Sequence, residues 1–411
     1  MSAPAKILVI TNGPLCRNPR VVKEADTLGR AGHNVTVLAV RNHAPSEIFD
    51  AELLRDAPYR RVTVDTIPSG AGFSASALFH RLTQSLARRA TQTLGWQTPR
   101  TLGPVNALLR RARTLPADLT IVHNEVSHHV GLRLLAEGRR IAADIEDWHS
   151  EDLLPSDRLA RPLRLIRGIE HGLLHRAVHT TTTSPALADA LHARYRGTRP
   201  HVIANSFPLQ PPAPARSATG GPPSFFWFSQ TLGPGRGLEP FLAAWARTRH
   251  PSRLVLLGET RSGFDAAVLA RLPAAFRSRV TFLPLVSPAE LPALIARHDI
   301  GLALEHAFIV SRNLTITNKI LQYLNAGLAV VASDTAGQRA VLTHSPAAGV
   351  IVETHATTAF AAILDTLLAD RAALAARQHA ARRLAETVYC WEREAPRLLS
   401  LVDAALGAAP R

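Results

Sequence analysis

A strand, a helix, a glycine and a second strand follow one another immediately in this chain, and the pattern is written twice. Residues 7–11 are apolar and strand-like, 20–31 have helical spacing, Gly32 stops the helix, and 35–40 read as a second strand. Further on, a strand at 225–229, a glycine loop at 233–237, a helical pattern at 238–248 and a strand at 253–258 repeat that grammar. Such units force parallel pairing, because the helix must carry the chain back across the sheet before the next strand can start. Between the two halves, residues 208–223 are dominated by Pro, Gly, Ala and Ser, the composition of an interdomain linker. The expected organisation is a first domain over 1–207, the linker 208–223, a second domain over 224–385, and a helix over 386–411 that reaches back to the first. A chain of 411 residues, 46% hydrophobic, can fill two such cores.

Charge narrows the partners without choosing one. The 47 basic and 32 acidic residues leave +15, and residues 1–200 carry 27 basic and 18 acidic side chains, or +9. Nucleic acid, an anionic membrane face and phosphorylated small molecules all fit that surplus. No aromatic RNA-binding signature or basic recognition helix is present, so nucleic acid is not expected. The first residues run straight into a strand without a basic and apolar leader, and no stretch of about 18 apolar residues is long enough to span a bilayer. Cys16 and Cys390 make neither a disulfide framework nor a zinc spacing. The expected location is the cytoplasm, peripheral at the inner face of a membrane.

The stretch 315–334 reads as a polar loop, a short helix, a glycine stop and a buried strand. Thr317 suits the N-cap and Gly327 the residue after the helix, which puts Lys319 in the first turn. A cation there opposes the helix dipole by roughly 0.3–1 kcal/mol, so an anion is expected beside it. Only Lys6, Lys23 and Lys319 are lysines in this arginine-rich chain, although a solvated surface lysine is the plain alternative.

Five segments share an order: Asn18-Pro19-Arg20 with Lys23-Glu24-Ala25 and 31–37; Thr182-Thr183-Ser184-Pro185; Val202-Ile203-Ala204-Asn205; Gly233-Pro234-Gly235-Arg236-Gly237; and Asn318-Lys319 through Asp334. Together they resemble the family-4 glycosyltransferases of the GT-B fold over nearly the whole chain. The resemblance implies an α/β protein of two Rossmann-like, doubly wound domains facing across a cleft. It also implies metal-independent, retaining transfer from a nucleoside-diphosphate sugar to a saccharide or lipid-linked acceptor, in cell-surface polysaccharide or glycolipid synthesis, with no cofactor beyond the co-substrate. Donor binding falls to Gly233, Gly235, Arg236, Gly237, Glu305, Asn313, Thr317, Asn318, Lys319 and Gln322. Arg236 and Lys319 would neutralise the departing diphosphate, since fixed cations and helix N-termini stabilise that charge best in a closed site. Asn12, Gly13, Arg17 and Arg20 line the acceptor side. Two departures stand out: Thr231 occupies the position of a second cation, and Leu314 and Gln322 stand where two glutamates are usual. A glutamine can still donate to and accept from a ribose diol.

On the first domain, the acidic run 144–152 follows a strand at 140–143, and His123 follows another at 119–122. His123, Glu146 and Asp147 are the catalytic candidates there. The acidic run also reads as a solvated turn or, with its histidine, as a metal site. His128 and His129 are expected on a helix surface. Two basic amphipathic stretches, 73–89 and 158–176, are expected to turn their apolar stripes to the core, with contact to anionic lipid as the sharper alternative. Rivals to a transferase are a sugar-nucleotide epimerase using the same donor site and an inactive GT-B module that binds saccharide or a partner.

Overall fold

The computed structural model describes residues 4–67, 75–212, 221–235, 237–260 and 263–407, without the side chains of 75–77. They fall into two compact units, Met1–Ile203 with Ala395–Arg411, and Ala204–Glu394.

The first unit is built on a parallel sheet of β1 (Lys6–Thr11), β2 (Asn34–Arg41), β3 (Tyr59–Asp65), β4 (Leu119–His123), β5 (Ile141–Asp144), β6 (Thr180–Thr182) and β7 (His201–Val202). Its order is β3-β2-β1-β4-β5-β6-β7. The chain winds outward from β1, then returns to lay β4 against the other side of β1, so the strand order reverses between β1 and β4. In open α/β sheets a crevice opens there, at the carboxyl ends of the strands. The first crossover helix, Pro19–Arg30, shows how the local sequence sets this up: Asn18 caps it by accepting the Val21 N–H, and Pro19 begins it. Val21, Ala25 and Leu28 are buried from one face. Arg20, Lys23 and Glu24 are buried from the same helix, which amphipathic spacing alone does not require.

The second unit repeats the winding with β8 (Ser224–Leu232), β9 (Arg253–Thr260), β10 (Val280–Leu283), β11 (Ile300–Ala303), β12 (Ala329–Ser333) and β13 (Gly349–Val352), in the order β10-β9-β8-β11-β12-β13. Here the reversal lies between β8 and β11. Alternation along β8 sends Phe225 and Trp227 into a core with Phe241, Trp245 and Phe360. Phe226 and Phe228 go to the other face, with Tyr323, Leu321 and Leu384. Gly301 in β11 is required by packing: a Cβ there would lie 2.2 Å from the Tyr323 ring, and Tyr323 is fully buried. Gly301→Ala is therefore expected to lower the stability of the second unit by about 3 kcal/mol, read as a fall in its denaturant midpoint; an unchanged midpoint would mean that Tyr323 repacks freely.

Three expectations change. β8 is longer than predicted and runs past a register irregularity between Phe228 and Thr231, so Thr231 belongs to the strand rather than to the loop. The segment 386–411, expected as one helix, instead holds the end of one helix, Arg371–Thr387, and then a second, Trp391–Gly407. The break is stabilised because Phe207 forms a bridge with Cys390 and accepts the Trp391 N–H at 3.1 Å. The stripe on the helix Ala75–Leu94 faces outward, with Leu78, Phe79, Leu82 and Leu86 all exposed. Among the described residues, no helix is long and apolar enough to cross a membrane.

Candidate functional site

Residues at the β8/β11 reversal bring most of the predicted donor set together. β8 leads into the loop holding Gly233 and Gly235, whose Gly235 N–H donates to Glu239 Oε1 at 3.1 Å. Gly237 has φ +78°, and a Cβ on it would press on Leu304 at the end of β11. The glycine thus lets the loop lie against the residue preceding Glu305. Arg236 lies outside the described residues. Glu305 receives the Lys319 ammonium at 2.9 Å, and its N–H donates to Ser333 Oγ at 2.8 Å. The anion expected beside Lys319 is therefore, first of all, a carboxylate of the chain itself. The same ammonium stands 5.6 Å from the centroid of the buried Trp227 ring on β8.

Lys319 sits in the first turn of the helix Asn318–Asn325, with Gln322 one turn further on. Gly327, at φ +66°, ends the helix as predicted, the Leu328 N–H donating to Tyr323 O at 2.9 Å. Thr317 holds the N-cap position without acting as a cap, since its side chain accepts no first-turn N–H and, among the described residues, its shielded Oγ1 meets no partner. Thr335, by contrast, caps the next helix. The helix Leu238–Trp245 also starts from a glycine, without a side-chain cap. Among the described residues, two helix starts at this reversal therefore have no side-chain cap for their first-turn N–H groups, the arrangement that binds phosphate. Asn313 serves the framework, its Oδ1 accepting the Ala336 N–H at 3.0 Å.

The first unit gathers a buried network at the ends of β1, β4 and β5. Arg20 donates to both Asp144 oxygens at 2.6 and 2.7 Å, and to Ile203 O at 2.7 Å. Thr181 adds a bond to Asp144 Oδ1 at 2.6 Å. His123 lies between carboxylates, Nε2 at 2.6 Å from Glu24 and Nδ1 at 3.2 Å from Asp144. Burial opposes charge on His123, but Glu24 and Asp144 prevail and raise its pKa to about 10. Burial likewise opposes charge on Asp144, yet Arg20 and His123 hold it far below the usual carboxylate range.

The crevice-facing edge of this network is half-buried. Asn12 donates its N–H to Asn124 Oδ1 at 3.1 Å, and Thr11 Oγ1 donates to the same oxygen at 2.8 Å. Asn124 adopts φ +65°, a strained conformation that these two bonds help to fix. Glu146 and Asp147 follow β5 and are half-buried; desolvation pushes the Glu146 carboxyl up in spite of Arg20. Arg17 meets His43 at 3.1 Å, and Gly13 (φ +99°) lies beside Asn42, both neighbours following β2.

Two expectations about this unit are corrected. The solvated-turn reading of the acidic run fails for its first residue: Asp144 ends β5 and is enclosed, where it accepts from Arg20 and Thr181. His128 is not a helix-surface residue but is buried, with Nε2 2.8 Å from Asp144 O. Burial lowers its pKa to about 3 and that of His149 to about 4. Among the described residues, no group of three or more His, Cys, Asp or Glu side chains is placed to hold a metal ion. Sequence reasoning places Asn124 beside His123 in a candidate segment but misses Glu24, Thr181, Trp227 and Ser333; a buried carboxylate at Glu24 is signalled only by polar residues on the apolar face of a helix.

Residues 223–370 match the family model described as "Glycosyl transferases group 1". No curated protein matches the chain. Among solved structures, sucrose-phosphate synthase from Thermosynechococcus elongatus is similar at 15% identity and TM-score 0.71, covering 98% of this chain and 100% of that one. HepE from Anabaena, in complex with UDP and glucose, is similar at 16% identity and TM-score 0.71, covering 97% and 100%. WaaG, a glycosyltransferase involved in lipopolysaccharide biosynthesis, is similar at 15% identity and TM-score 0.60, covering 95% and 99%. These likenesses establish the fold, and the expected GT-B architecture of two doubly wound parallel sheets is the one found.

Proposed function

We propose that the chain is a glycosyltransferase that moves a sugar from a nucleoside diphosphate to a saccharide or lipid-linked acceptor. One observation carries this reading: within the segment that matches the group 1 model, Lys319 stands in the first turn of an uncapped helix, beside a glycine loop at the strand-order reversal. That is a place for a diphosphate, and HepE holds UDP on the same fold.

In this reading Lys319 and the first-turn N–H groups stabilise the charge that grows on the diphosphate as the glycosyl bond breaks. Arg236 adds a second cation from the glycine loop. Glu305 fixes the Lys319 side chain and accepts from a sugar hydroxyl, while Gln322 and Asn318 meet the nucleoside. On the first unit, His123 and Arg20 are enclosed and act as positioning residues that hold the edge formed by Asn12 and Asn124. Asn12, Gly13, Glu146 and Asp147 meet the acceptor. Retention at the anomeric carbon, a cytoplasmic location and a part in polysaccharide or glycolipid assembly belong to this proposal.

The test is incubation of the chain with UDP-, GDP- and ADP-sugars and oligosaccharide or lipid-linked acceptors. Release of nucleoside diphosphate, with the sugar on the acceptor, is the expected result. A new sugar isomer still on its nucleotide would identify an epimerase, and a raised melting midpoint without turnover would identify an inactive binding module. Because protein cations do the neutralising, turnover should persist in EDTA. Complete loss in EDTA with recovery on Mg²⁺ or Mn²⁺ would move the neutralisation to a metal ion.

A further inference from the structure

The helix Ala75–Leu94 packs the opposite way round from an ordinary amphipathic surface helix. Among its described side chains Ala87 and Thr91 are the buried ones, while Leu78, Phe79, Leu82 and Leu86 are 44%, 63%, 53% and 67% exposed. Positions 78, 82 and 86 are successive i,i+4 neighbours, and 79 lies beside 82, so the four make one apolar stripe turned away from the unit's core. Gly95, at φ +68°, ends the helix, and Thr91 Oγ1 holds the following turn by donating to Trp96 O at 2.7 Å. Trp96 is itself 61% exposed. Single exposed leucines are ordinary, but a continuous stripe of this size marks an interaction surface.

The charge around the stripe says what covers it. Between Asp65 and Asp118 the sequence holds no carboxylate and seven arginines. Of these, Arg81, Arg88 and Arg89 are exposed on the helix itself, and Arg100 is exposed on the turn that follows. A second copy of the chain would bring the same cationic segment against itself, because a two-fold interface pairs like with like. An anionic lipid surface satisfies both halves of the pattern, taking apolar side chains into the headgroup boundary and pairing arginines with phosphates.

We propose that the helix Ala75–Leu94, with Trp96, lies in the plane of an anionic membrane surface. Leu78, Phe79, Leu82, Leu86 and Trp96 enter the headgroup region, and Arg81, Arg88 and Arg89 engage lipid phosphates. This surface stands independently of the glycosyl-transfer reading and needs no donor for its test.

The experiment is flotation of the full chain with phosphatidylcholine vesicles, with and without one-third phosphatidylglycerol. Binding is expected to the anionic vesicles, weakening as salt rises, with a blue shift of tryptophan emission that Trp96→Phe removes. Replacing Arg81, Arg88 and Arg89 together by Glu should weaken binding by at least about 100-fold. Leu82→Ser with Leu86→Ser should weaken it at least about 10-fold at unchanged charge. All of these side chains are exposed, so the melting midpoints should stay near wild type; Phe79→Ser with Leu86→Ser is a second apolar pair should the first not fold. Wild-type binding by the arginine or the leucine variants, or equal binding to neutral vesicles, would overturn the proposal. So would a concentration-dependent dimer in sedimentation velocity that Leu82→Ser and Leu86→Ser abolish, since a second copy would then cover the stripe.

Discussion

Lys319→Ala is expected to lower turnover with a nucleoside-diphosphate sugar by about 10²–10³-fold, the scale of removing one preorganised charge stabiliser. The ammonium is held by Glu305 at 2.9 Å, and both side chains are largely shielded from water, 16% and 10% exposed. A charge fixed in that setting needs no reorganisation when the diphosphate departs. The variant also leaves the Glu305 carboxylate without its cation, which should lower the second unit's stability by roughly 3 kcal/mol. That loss must be separated from the loss of chemistry. Lys319→Ala combined with Glu305→Gln removes both charges and should regain much of the stability while turnover stays low. Recovery of turnover in the double variant would show that Lys319 only balances Glu305, and near wild-type rates in Lys319→Ala would remove it from the mechanism. Lys319→Arg keeps the charge but spreads it over a planar group, so an intermediate rate is expected.

Asp144→Ala should be the most damaging substitution in the first unit, costing about 3–5 kcal/mol by leaving Arg20 and His123 enclosed without their shared counter-charge. In a unit of this size that is a fall of roughly 10 °C in its thermal transition. The same network gives the unit a stability profile with two opposed slopes. His123, raised to about 10 when folded, contributes fully below the unfolded histidine value near 6.5, and the contribution is lost as pH climbs toward 10. His128, lowered to about 3, and His149 and His179, each lowered to about 4, do the reverse. They are neutral when folded, the unfolded chain takes up protons below about 6.5, and stability falls as pH drops. The depressed Asp144 adds to the loss at lower pH still. Stability is therefore expected to peak near pH 6.5–7. His123→Gln should flatten the limb between pH 7 and 9 while leaving the acid limb in place, as read from denaturant midpoints. An alkaline limb that survives in His123→Gln would show that another group titrates there.

The strand and helix pattern was legible because it rests on short-range regularities. Apolar runs and the glycines at 32 and 327 act within a few residues of themselves, and the structure places elements where they point. The two fully parallel sheets follow from that grammar. What stayed hidden depends on long-range pairing. Asp144 meets Arg20 across 124 positions of sequence, and the run of charges around Asp144 resembles a solvated turn until that partner is known. Glu305 and Lys319 were each singled out, but their pairing with one another depends on how the end of β11 meets a helix start. The outward stripe on the helix Ala75–Leu94 was misjudged because spacing shows that a helix has an apolar face without showing which way the face turns. Thr317 has the right residue type and position for a cap, yet the side chain does not serve as one, and sequence carries no signal for that choice.

The last helix, Trp391–Gly407, begins in the second unit and ends in the first, whose boundary resumes at Ala395. The second unit is consequently an insert in the sequence of the first, flanked on both sides by its host. A fragment ending at Ile203 lacks part of its own unit, so truncation there is a poor way to isolate it. Recombination that exchanges the second unit between relatives must cut twice, near Ile203 and near Glu394, and carry the terminal segment with the host. Chimaeras made with one crossover would pair a tail with a unit it did not evolve beside, and those made with two would keep each unit whole.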